Sequence, residues 1–238
     1  DARPFLGAQR ASVGPDLIKA VVNGFGRDPL PLGPLVAGLW AAVDTTPTVD
    51  LDTESRQAAA LSAIAITPAL LAGTARLLGG HEPITGTSGR GHAADYLHMA
   101  TGVEPSDEAV RAVETYLNLT AEHGFNASTF TARVITSTGA SVPAALGGAV
   151  GALSGPLHGG APSRVLDMIN AIGDPDRTES WARQRLDAGE MLMGFGHAVY
   201  RQSDPRSETL RRTAEAFADP AARELVERAT ELIAGAAE

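Results

Sequence analysis

Apolar and small residues recur along this chain at helical rather than strand spacing, and the punctuation between them is that of helix starts and stops. The most apolar stretch, Ser55 to Leu78, is rich in alanine and predicts a helix broken or kinked near Thr67 by Pro68. Further on, Ser106 can cap a helix whose Asp107 and Glu108 suit the positive end. Its Val110, Val113 and Leu117 form one apolar stripe, and Gly124 follows the end. A second helix starts after Asn126 and stops before Gly139. A third runs from about Ser141 to Leu153, where Gly147, Gly148 and Gly151 would let a neighbouring backbone come very close. Pro162 starts a fourth, which Gly173 ends, and Thr178, Asp204-Pro205 and Asp219-Pro220 mark the remaining starts. Strand alternation is weak throughout, so the pattern predicts an all-α protein.

Two segments break this rhythm. Residues 1–54 are rich in proline and glycine, with one apolar stretch, Pro34 to Val43, that predicts a short helix. Gly79 to Gly91 holds five glycines and Pro83 and predicts a mobile surface loop.

Composition narrows the class. A length of 238 residues allows one large or two modest domains, and 44% hydrophobic with 20% charged residues is an ordinary globular balance. The formal net charge of −9 argues against nucleic acid as a partner, because phosphate neutralisation needs a basic stripe that the sequence lacks. Cysteine is absent, which removes disulfide frameworks and thiolate catalysis and fits a reducing, cytoplasmic setting. No run is expected to reach the roughly eighteen uncharged apolar residues that cross a bilayer, so no membrane partner is expected. The opening Asp1-Ala2-Arg3-Pro4 has neither an initiator Met nor a signal-peptide pattern and predicts that this is not the native N-terminus.

The chemistry concentrates in two histidines set among glycines, Gly155-Pro156-Leu157-His158-Gly159-Gly160 and Gly194-Phe195-Gly196-His197. Backbone without side-chain bulk lets a substrate approach each imidazole closely. A neutral His158, beside the helix start at Pro162, could donate a hydrogen bond to a carbonyl oxygen that becomes an enolate; the alternative is a histidine serving only its turn. His197 is followed by Arg201 and by Asp204-Pro205-Arg206, which puts Arg206 in the first turn of a helix. A cation there is unfavourable on dipole grounds and points to an anionic partner, held bidentately; the alternative is an exposed arginine without one. His123, at the C-terminal end of one helix and just before the cap of the next, suits an anion, or else bonds the last carbonyls of its own helix.

Other chemistries find no support. The three histidines are separated by 35 and 39 residues, with no short-spaced pair, so no metal site is predicted. His81, His92 and His98 read as surface or core residues. There is no Walker loop, and no GxGxxG follows a predicted strand.

His123-Gly-Phe-Asn-Ala-Ser-Thr-Phe-Thr-Ala-Arg133, Gly155-Pro-Leu-His158-Gly-Gly-Ala161 and Gly194-Phe-Gly-His197-Ala-Val-Tyr-Arg201-Gln-Ser-Asp-Pro-Arg206, in this order and spacing, resemble the citrate synthase family, with weaker similarity through Ala93 to Gly102. The resemblance implies a mostly helical homodimer with a large domain (residues 1–158) and a smaller mobile domain (residues 159–238), with Gly159-Gly160 a plausible hinge. It implies that His158 stabilises the enolate of the acyl-CoA thioester. His123, His197 and Arg206 would hold oxaloacetate, His197 also polarising and protonating its carbonyl. Arg201 would meet CoA phosphates and the Gly194, Phe195 and Gly196 backbone the adenine. No cofactor is implied, acetyl-CoA being a substrate. The family's catalytic aspartate, in a motif like Asp-Phe-Tyr-Ser-Gly, has no counterpart here, nor do its later arginines or its opening Arg-Gly-Tyr turn. That predicts a partial view of a longer protein, with a shortened relative that binds CoA or a dicarboxylate as the alternative. For the enzyme, citrate synthase and 2-methylcitrate synthase using propionyl-CoA both remain open.

Overall fold

A computed structural model describes residues 2–25, 32–122, 124–190, 192 and 204–215. Among these residues all regular structure is helical, as the pattern predicts. The chain divides into two compact units, Asp1–Ser154 and Gly155–Glu238.

The first unit is built around one long helix. In chain order it contains α1 (Arg3–Ala11), α2 (Pro15–Asn23), α3 (Leu32–Ala42), a 3-10 turn at Thr48–Asp50, α4 (Thr53–Leu78), α5 (His92–Thr101), α6 (Asp107–Thr120), α7 (Ala127–Thr136) and α8 (Val142–Leu153). Helix α4 packs against α1, α2, α3, α5 and α8. Its Asp52 cap accepts from Ser55 N at 2.8 Å, and Glu54 adds negative charge to the first turn.

Of the break or kink expected at Pro68, the break does not occur: α4 continues through it as one helix of 26 residues. An internal proline costs about 3 kcal/mol through its lost hydrogen bond and ring clash. Ala65, Ile66, Ala69 and Leu70 around it are all at most 1% exposed, and burying Ile66 and Leu70 alone is worth about 1.5–3 kcal/mol each. The residue whose carbonyl loses its donor, Ile64, lies on the exposed side. The expectation about long apolar runs also fails here, since α4 is long and apolar enough by length and composition to cross a bilayer. It is instead mostly buried by its five neighbours, as the centre of a core that also holds Val13, Ile18, Leu35, Leu39 and Met99.

Two helices, α1 and α2, lie in the segment whose prolines and glycines predict no helix, each opened by a proline in its first two positions. Gly7 sits inside α1 because a Cβ there would lie 2.6 Å from Ser88 O of the loop before α5. The same close approach sets the loop against α1 at Ser88. Arg10 of α1, 1% exposed, pairs through Nε with Asp95 Oδ2 of α5 at 2.6 Å, and Asp95 is wholly buried. Arg10 Nη2 donates to Arg90 O at 3.0 Å, and Thr87 N donates to Asp95 Oδ2 at 3.0 Å. The loop backbone is thereby bound to a buried ion pair.

Helices α7 and α8 lie against each other, and α3 also meets α8. The small-residue run on α8 is used against side chains rather than backbone: a Cβ on Gly148 would collide with Ile135 Cδ1, and one on Gly147 would sit 3.5 Å from Val36 Cγ1. Gly151 has open space around it. The stripe on α6 is only half covered, with Val110 and Val113 partly buried and Leu117 exposed.

In the second unit a turn over residues 155–160 leads into α9 (Ala161–Ile172). A 3-10 turn (Pro175–Arg177), α10 (Thr178–Asp187) and α11 (Pro205–Glu215) follow. Ile172, Thr178, Ala182 and Leu192 are its buried residues among those described. Gly173 ends α9 at φ +70°, a conformation that suits glycine.

Candidate functional site

His158 is presented by a tight glycine turn. Both His158 N and Gly160 N donate to Gly155 O, at 3.0 and 3.1 Å, which folds the chain back on itself in five residues. The close return requires glycine: a Cβ at Gly160 would lie 3.0 Å from Gly155 O and 3.2 Å from Pro156 Cα. Within this turn Leu157 is 81% exposed while His158 is half-buried, so the fold shelters the imidazole in preference to the larger apolar side chain beside it. Helix α9 begins directly afterwards with no side-chain cap and with proline in its first two positions. Its first amides therefore remain donors close in sequence to the imidazole.

Arg206 stands in the first turn of α11, as expected, and the structure supplies the anion that its position calls for. Asp204, two residues earlier, takes Arg206 Nε on Oδ1 at 3.0 Å and Nη2 on Oδ2 at 2.7 Å. The same carboxylate accepts Arg206 N on Oδ1 at 2.9 Å, capping the helix. The side chains are 20% and 26% exposed, so the pair is partly shielded from solvent. A carboxylate of the chain itself thus occupies the Nε–Nη2 edge of this guanidinium.

The elements flanking His123 are in place, while His123 itself lies outside the described residues. Helix α6 is capped by Ser106 Oγ, which accepts Ala109 N at 3.2 Å, and it ends at Thr120. Gly124 follows at φ +87°, and Asn126 Oδ1 caps α7 by accepting Thr129 N at 3.0 Å. Phe125 packs edge-on to Phe130 at 5.6 Å and lies under the Arg133 guanidinium at 5.1 Å, tying the segment after Gly124 to α7. Gly194, Phe195, Gly196, His197 and Arg201 also lie outside the described residues. The described site residues therefore fall as His158 and Arg206 in the second unit, with the His123 segment in the first.

Sequence reasoning missed the charged cluster around Arg10. Besides Asp95, Arg10 meets His92 Nδ1 through Nη1 at 3.2 Å. Burial, and then the Arg10 charge, hold the His92 imidazole below its usual range, with Asp95 pulling the other way. A neutral ring with its lone pair on Nδ1 accepts from Arg10. The sequence signal lay with Asp95, which stands in the mostly apolar stretch Ala93–Met99, whereas Arg10 lies between Gln9 and Ser12 and gave none. Among the described residues no three metal-ligating side chains lie together.

A family model described as the C-terminal domain of citrate synthase matches residues 6–238. The chain is 44% identical over 164 residues to a 2-methylcitrate synthase of Mycobacterium tuberculosis, a match covering 69% of this chain and 42% of that protein. It is 40% identical over 170 residues to a citrate synthase of Deinococcus radiodurans, covering 71% and 45%. Among solved structures it is similar to citrate synthase from Thermotoga maritima MSB8, with 27% identity and a TM-score of 0.83 over 98% of this chain and 62% of that one. The matches thus span less than half the length of these curated relatives.

Proposed function

The chain belongs to the citrate synthase family, and from that premise we propose that the whole protein is a condensing acyltransferase that joins acetyl-CoA to oxaloacetate and water, giving citrate and CoA. The observation that carries this reading is the His158 turn, a half-buried imidazole held by glycine backbone ahead of an uncapped helix start. An α-proton of a thioester is far less acidic than any side chain, so its removal needs a donor where charge develops on the thioester oxygen. His158 is assigned that role. The enolate carbon then attacks the ketone carbon of oxaloacetate, whose oxygen takes a proton from His197. His123, His197 and Arg206 grip the dianion, Arg201 meets CoA phosphate, and the Gly194, Phe195 and Gly196 backbone lies against adenine. No residue of this chain is assigned the proton-accepting carboxylate, and no resident cofactor is invoked.

Pairing of two copies belongs to the same reading and is supported by exposed Trp40, Phe130, Val134 and Leu153 on α3, α7 and α8. A cytoplasmic setting is also part of it, which the cysteine-free sequence accommodates. The proposal that residues 159–238 move as the smaller domain is supported by the glycines of the turn before α9.

In the whole protein, His158→Ala should lower the condensation rate by roughly 10²–10³, the usual loss for one oxyanion donor. Near-normal turnover refutes the role. A second reading, condensation of propionyl-CoA to 2-methylcitrate, is favoured by the 44% identity to a protein of that name. One methylene in an apolar pocket is worth only about 1–3 kcal/mol, so the two thioesters must be compared directly by kcat/KM.

A further inference from the structure

Arg206 is held by a carboxylate that does more than cap its helix. Capping needs a single acceptor, and Asp204 Oδ1 provides it to Arg206 N. The second oxygen, Oδ2, faces the guanidinium, taking Nη2 at 2.7 Å and Nε at 3.2 Å. Two parallel N–H···O bonds fix a guanidinium plane as a single contact cannot. Pro205 between them restricts the backbone, so the carboxylate and the guanidinium meet across one rigid residue. The Asp204 charge also offsets the unfavourable placement of a cation at a helix N-terminus.

We propose that Asp204 is a positioning residue for substrate: it clamps the Nε–Nη2 edge of Arg206, so that a carboxylate of the keto acid is received on the Nη1–Nη2 edge in one orientation. The inference rests on the reading of Arg206 as a ligand of oxaloacetate given above. An arginine so clamped meets its ligand with its side chain already ordered, and the ordering cost is removed from the binding step. Asp204 touches no reacting atom, so its loss should weaken keto-acid binding and leave the chemical step nearly intact.

Two substitutions separate the cap from the clamp. Asp204→Asn keeps a good cap but sets an amide donor against the Nη2 donor, and Asp204→Ser keeps a capping hydroxyl while removing the carboxylate. In the whole protein both should raise the KM for oxaloacetate about tenfold, equivalent to about 1.4 kcal/mol. The KM for the acyl-CoA and the helical circular dichroism should stay at wild-type values and the melting temperature should fall by no more than about 2–4 °C, with kcat within about twofold, since a loss confined to ground-state binding leaves kcat alone. An unchanged KM for oxaloacetate in both variants, where Arg206→Ala raises it, overturns the inference and leaves the proposed function standing. Equal rises in both KM values together with lost helicity mean a structural role and overturn it as well. A wild-type protein that does not consume oxaloacetate removes the proposed function, and this inference with it.

Discussion

Asp95→Asn removes one charge from a buried pair while keeping its shape, and the consequence follows from what Arg10 has left. Its guanidinium is 1% exposed and would retain only neutral acceptors, Arg90 O at 3.0 Å, Thr87 O at 3.5 Å and His92 Nδ1 at 3.2 Å. Breaking a buried pair by removing one partner costs about 3–5 kcal/mol, because the remaining charge stays desolvated. Asparagine can still accept Thr87 N, which places the expectation at about 3 kcal/mol, the low end of that range. For a unit of this size each kcal/mol lowers the melting temperature by about 2–4 °C, so the drop should be on the order of 10 °C. The two tryptophans lie one in each unit, Trp40 on α3 and Trp181 on α10. In a Trp181→Phe background, the Trp40 fluorescence during urea unfolding, identified by its loss in a Trp40→Phe control, reports the first unit. Adding Arg10→Met should restore part of the loss, since no charge then remains buried without its partner. A single variant within about 1 kcal/mol of wild type, or a double variant no more stable than the single, would refute the reasoning.

The same cluster gives a pH dependence. The folded His92 resists protonation while the unfolded one titrates near its ordinary 6.5, so the unfolded chain binds more protons as pH falls below that value. Stability should fall as pH drops from 6.5 through the lower folded value, and His92→Gln, which keeps an acceptor for Arg10, should flatten that part of a pH series of urea midpoints. Gly38→Ala should destabilise the first unit: its Cβ would lie 2.5 Å from Leu70 Cδ2, a side chain with no exposed surface, and overpacking costs about 1–3 kcal/mol. The gain in helix propensity is at most about 1 kcal/mol, and a raised melting temperature would show that Leu70 yields more easily than its burial indicates.

Much of the fold could be read where a local signal decides the local structure. Ser106, Asn126, Pro162 and Gly173 mark helix ends by chemistry that involves only the next few residues, and the structure places helix ends beside them. Helices α1 and α2 were missed because their glycine and prolines read as loop, whereas Gly7 is there to admit Ser88 O and the prolines open helices. Pro68 suggested a break that does not occur, because the burial around it outweighs what it costs α4. On the candidate site, the glycines around His158 were legible as a close turn. Arg206 was legible as needing an anion, while its partner Asp204, only two residues away, was read only as a cap.

By itself, then, the sequence determined the helical class, most helix boundaries from Ser106 onward, and the ordered histidine and arginine motifs that place the chain in its family. All of these depend on residues near one another or on the order of motifs along the chain. Tertiary structure decided that α4 runs unbroken as the central helix, that the loop before α5 is bound to α1, and which glycines are required by a neighbour. Arg10 and Asp95 are 85 residues apart, and only packing α1 and α5 around the same core brings their charges to 2.6 Å in a site without solvent. A charge in an apolar run signals that a partner must exist, since burying it alone is too costly, but which partner depends on contacts between distant segments.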